Sequence, residues 1–99
     1  MITRVVKMTF RPENIFRFKE IFYESKSMIQ AFEGCVRVEL MNDVNNEDCY
    51  FTLSYWLTED DLNNYRQSYL FKNTWSKVKP LFSERAQAWS LINDQTVGI

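Results

Sequence analysis

Residues 35–56, CVRVELMNDVNNEDCYFTLSYW, contain two runs of alternating side chains around an asparagine-rich turn. Asparagine tolerates the left-handed backbone of tight turns, so 35–43 and 48–56 are expected to pair as a hairpin. With the turn centred on Asn45-Asn46, the numbers of facing residues add to about 91. That register sets Val36, Val38 and Leu40 against Tyr55, Leu53 and Phe51 on one almost purely apolar face. The other face pairs Cys35, Arg37, Glu39 and Met41 with Trp56, Ser54, Thr52 and Tyr50. It is too apolar for ordinary solvent and too polar for a dry core. A second sheet is its natural cover, which makes Cys35, Met41, Tyr50 and Trp56 the expected contacts of a homodimer.

The flanks complete the pattern. Residues 2–10, ITRVVKMTF, read as a strand that Arg11-Pro12 ends. Ile15, Phe18, Phe22, Ser25, Ile29 and Phe32 then recur at the spacing of one helix face, and Gly34 stops the helix. Thr58, followed by Glu59, Asp60 and Asp61, is a helix start with carboxylates at the positive end of the dipole. Ser68 can cap a further helical segment carrying Phe71, Trp75, Val78 and Phe82, with Pro80 near its end. ERAQAWSLIND, residues 84–94, alternates as a last strand. The order βαββαβ implies an α+β, ferredoxin-like sandwich, an antiparallel sheet with helices on one face. Residues 1–99 are expected to form one domain with a structured core over about 2–93.

Composition narrows the function. Twelve basic and thirteen acidic residues give a formal charge of -1, so no broad positive field gathers phosphate backbones and nucleic acid is not an expected partner. No apolar run is long enough for a signal peptide or a membrane span, so the expected location is the cytoplasm and no membrane partner is expected. Cys35 and Cys49 fall at opposite ends of the hairpin, roughly 20 Å apart at strand rise. Linked cysteines need Cα atoms within about 7 Å, so free thiols are expected. The chain has no histidine, which removes histidine triads, histidine-ligated haem and the usual zinc and copper sites. No metal or other cofactor is expected.

The chemistry-bearing candidates are aromatic. Tyr65, Phe71, Trp75 and Trp89 can wall a pocket between helix and sheet for a small aromatic or hydrophobic molecule, with Asn64, Tyr65 or Arg66 supplying polar contacts. An aromatic stripe at helical spacing also serves as plain core. Arg37 and Glu39 suit cross-strand or intersubunit pairing. Ser68 is a cap and has no base to make it a nucleophile.

The segment 62–82, LNNYRQSYLFKNTWSKVKPLF, together with the βαββαβ order, resembles the antibiotic biosynthesis monooxygenase family over about residues 2–93. The resemblance implies a dimeric α/β barrel. It also implies oxidation of small planar aromatic or phenolic compounds by molecular oxygen without metal or flavin, with Tyr65 as the catalytic candidate. A related branch degrades haem with an asparagine on the first strand, a tryptophan and a histidine ligand. Aligned on Phe71-Lys72, these positions hold Val6, Tyr65 and Trp75 here, so haem degradation is not expected. The alternative is a non-catalytic dimeric barrel that binds a hydrophobic metabolite or serves as an interaction module. An enzyme keeps a cavity open, whereas a structural dimer fills that space with Phe71 and Trp75.

Overall fold

A computed structural model describes residues 1–98; Ile99, the last residue of the expected domain, lies outside the described residues. The chain runs β1 (Ile2–Thr9), α1 (Ile15–Gln30), β2 (Cys35–Asp43), β3 (Asn46–Trp56), α2 (Glu59–Arg66), α3 (Tyr69–Val78) and β4 (Gln87–Ile92). Single 3-10 turns, each carrying a proline, precede α1 and follow α3. The strands form one antiparallel sheet in the order β2-β3-β1-β4, the ferredoxin-like arrangement, with the three helices on one face.

The buried core joins Met8 within β1 and Phe10 just after it, Phe18 and Ile21 of α1, Tyr50 of β3 and Val78 of α3. Phe10 stacks on Phe18 with ring centroids 4.1 Å apart, and Tyr50 closes on both rings. Gly34 ends the α1 connection at φ 83. A Cβ at that position would overlap the Asp61 side chain, so the turn into β2 and the first turn of α2 approach as only glycine allows.

The hairpin forms, but its register differs from the expected one. From Arg37↔Tyr55 to Asn42↔Tyr50 the strands pair one residue out of step with the simple turn, and irregularities at Cys35/Arg37 and Asn42/Asp43 absorb the offset. The cause is a side chain. Asn42 Nδ2 donates to the carbonyls of Glu47 and Cys49 at 3.3 and 2.9 Å, satisfying backbone that has left the ladder. A shift of one residue exchanges the two faces of a strand.

Val38 and Leu40 therefore face the helices as expected, but β3 presents Tyr50, Thr52, Ser54 and Trp56 to them, with Phe51, Leu53 and Tyr55 on the far side. Val36, at the bulge, is 49% exposed rather than packed. Of the four expected dimer contacts, only Met41 lies on the bare face. Tyr50 belongs to the core, Trp56 has no exposed surface, and Cys35 pairs with Trp56. The bare face instead carries Val5, Phe51, Leu53, Tyr55, Trp89 and Leu91. On it Tyr55 donates its hydroxyl to Glu39 at 3.0 Å, Arg37 stands 3.5 Å from Glu39, and the Arg37 guanidinium covers the Tyr55 ring. Both cysteines are free thiols. Among the described residues no helix is long and apolar enough to cross a membrane.

Candidate functional site

A cavity of about 360 Å³ separates the sheet from the helices. Its floor follows from strand alternation, since Arg4, Val6 and Met8 of β1, Thr52 and Ser54 of β3 and Ala88 of β4 all point to the helix side. The wall is α1, through Phe22, Ser25 and Ile29, and the cover is α2 and α3, through Tyr65, Phe71 and Trp75. Ser25 is buried yet harmless there, because its hydroxyl donates to the Ile21 carbonyl at 2.9 Å.

Ser68 fixes the cover. In extended backbone between α2 and α3, its Oγ accepts from the Phe71 N–H at 3.1 Å and donates to the Tyr65 carbonyl at 2.6 Å. One hydroxyl thus sets the relative placement of two cavity aromatics. The rings continue one another: Tyr65 stacks on Trp56 at 4.9 Å and meets Phe71 edge-on at 5.3 Å, and Phe71 lies parallel to Trp75 at 6.1 Å. Trp56 is held in turn by its own N–H, which donates to Ser54 Oγ at 2.9 Å.

This packing determines the electrostatics. Burial, and then the nearby Cys35 thiol, pushes the Tyr65 hydroxyl well above its ordinary value, so at neutral pH it is a proton donor and not a base. Burial likewise raises the Cys35 thiol, against a smaller lowering from a backbone hydrogen bond. Arg4 is lowered by burial and then by the charge of Arg66, and its Nη1 donates to Ser90 Oγ at 2.9 Å.

Of the residues expected at the site, Tyr65, Arg66, Phe71 and Trp75 line the cavity. Asn64 is exposed and outside it. Trp89, expected in the pocket wall, does not line the cavity. It pairs with Val5 on the bare face and is 43% exposed, because Ala88 and Ser90 are the β4 residues that alternate toward the helices. Arg4 lines the cavity without having been expected there, and Trp56, expected as a dimer contact, instead stacks on Tyr65. Arg4 reads in sequence as an interruption of an apolar run, yet it shares a face with Ile2, Val6 and Met8, and an arginine inside such a set is the signal.

Against known proteins, the family model described as antibiotic biosynthesis monooxygenase matches residues 1–76. No curated protein sequence matches the chain. Among solved structures, the chain is similar to a conserved protein from Methanosarcina mazei Go1, with a TM-score of 0.86 and 20% identity over 92% of this chain and 91% of that one. A variant of SnoaB, a cofactor-independent oxygenase from Streptomyces nogalater, aligns with a TM-score of 0.84 and 17% identity over 97% and 95%. Rv0793 from Mycobacterium tuberculosis aligns with a TM-score of 0.87 and 13% identity over 98% of each chain. At such identities these likenesses concern the fold. The family model spans most of the chain, including β1, β2, β3, α1, α2 and the first turns of α3, and the chain belongs to the antibiotic biosynthesis monooxygenase family.

Proposed function

We propose that the chain is a cofactor-independent monooxygenase acting on a small planar aromatic or phenolic compound. The observation that carries this reading is the open cavity. Phe71 and Trp75 leave space between helices and sheet instead of filling it, and the volume of about 360 Å³ suits a molecule of one or two fused rings. Apolar and aromatic walls favour a flat ring, while Arg4, Ser54, Tyr65 and Arg66 offer polar contacts. In the reaction, one atom of oxygen enters the ring as a carbonyl, the other leaves as water, and the substrate supplies the electrons.

Tyr65 donates a hydrogen bond to the substrate oxygen, a role its raised pKa permits. The chain acts as one domain and as a homodimer. Supporting the dimer, the face with Met41 at 43% exposure, Trp89 at 43% and Leu91 at 50% is otherwise uncovered. Its place is the cytoplasm, in keeping with two free thiols.

Oxygen-electrode assays against a panel of naphthols and naphthalenediols test the reading. Uptake in step with quinone absorbance, and weakened by Tyr65→Phe, supports it. Binding of these compounds with no uptake throughout the panel would favour the non-catalytic barrel.

A further inference from the structure

We infer that the cavity takes its aromatic ligand as an anion, with the ionised oxygen held where Arg4 and Arg66 meet and the ring lying inward among Phe22, Phe71 and Trp75. The inference deepens the proposed function and rests on its aromatic cavity. Two arginines line this otherwise apolar space, one from β1 and one from the end of α2, and no Asp, Glu or Lys lines it. Neither arginine belongs to the ion pairs found among the described residues, which are Arg17–Glu20 and Arg37–Glu39. Arg4 spends one N–H on Ser90, leaving donors of its planar fork for a ligand.

Arg4 is half-buried and Arg66 exposed, so burial and then the neighbouring charge of Arg66 disfavour the Arg4 cation, and an incoming oxyanion offsets both. The other titratable groups facing this place are Tyr65, which lines the cavity from α2, and Cys35 beside it on β2. The remaining contributors from α1, α3 and the strands are apolar, hydroxyl-bearing or alanine. A guanidinium keeps its charge throughout the physiological range, so the positive pole is permanent. A bound phenol therefore loses its proton to solvent more readily than a free one. Activation by a fixed field replaces the base that a chain without histidine, and with a protonated Tyr65, does not supply.

The probe is para-nitrophenol, whose phenolate is coloured, titrated by absorbance with saturating full-length protein. The apparent pKa of the bound dye should fall by about one unit, which means about tenfold tighter binding of the anion. Arg66→Met, at an exposed position that leaves the core untouched, should remove much of the shift, as should Arg4→Met, while Arg4→Lys should restore part of it. Naphthoate should likewise bind about tenfold tighter than naphthylmethanol. A bound dye with an unchanged or raised pKa, a shift that survives Arg66→Met, or failure of both the dye and naphthoate to bind overturns the inference. Oxygen uptake separates this from the parent reading. Uptake with neutral-form binding sinks the anion inference alone, and anion binding without uptake sinks the oxygenase alone.

Discussion

A phenol stacked on Trp56 and edged by Phe32 and Phe71 has lost much of the water that would stabilise its anion. This makes Tyr65 a donor in the cavity and ties the stability of the protein to alkaline pH. The folded value lies above the ordinary 10.0. The stabilising contribution is therefore fully present below about pH 10 and is lost as pH rises from there toward the folded value. Tyr65→Phe should remove up to about 1.4 kcal/mol per pH unit from the slope of stability against pH above that point. Urea melts across the alkaline range measure it, and identical slopes in the two proteins would show that the hydroxyl is not buried in this way. At neutral pH the same substitution should weaken aromatic binding by about 1 kcal/mol, the net value of one neutral hydrogen bond.

Most elements were legible because their signals are local. The apolar spacing of α1, the caps at Thr58 and Ser68 and the helix-facing Val38 and Leu40 of β2 come out where sequence places them. The face of β3 was not legible, since it depends on how many residues the turn consumes, and the hydrogen bonds from the Asn42 amide to the carbonyls of Glu47 and Cys49 hold that count. Hydrophobicity could not break the tie, because Tyr50, Trp56, Phe51 and Leu53 make both faces of β3 attractive to a core. Tyr65, Phe71 and Trp75 were visible as a stripe, whereas Arg4 was hidden by its single charge in an apolar strand and Trp56 by the register. Asn42→Ala should cost about 1 kcal/mol and speed amide exchange in residues 42–50. Unchanged exchange and stability would mean that Asn42 does not hold the register.

The whole molecule has one sheet face covered by helices and one bare. Leu53, on the bare face in one cross-strand row with Val5 and Trp89, should therefore be a dimer contact. Leu53→Glu should give a folded particle near the chain mass of 11.9 kDa by light scattering. Trp56→Glu should instead unfold the protein, because that side chain has no exposed surface and a charge there has no partner. Equal effects of the two substitutions would contradict the division of faces. On the proposed function, the chemistry belongs to the covered side, inside each chain, and assembly to the bare side. Mass spectrometry of the product formed from a naphthol under isotopically labelled oxygen, with protein dialysed against chelator, tests this most directly. One labelled oxygen atom in the quinone, with the other recovered in water, is the expected result; an unlabelled quinone, or no product from a ligand that demonstrably occupies the cavity, would contradict it.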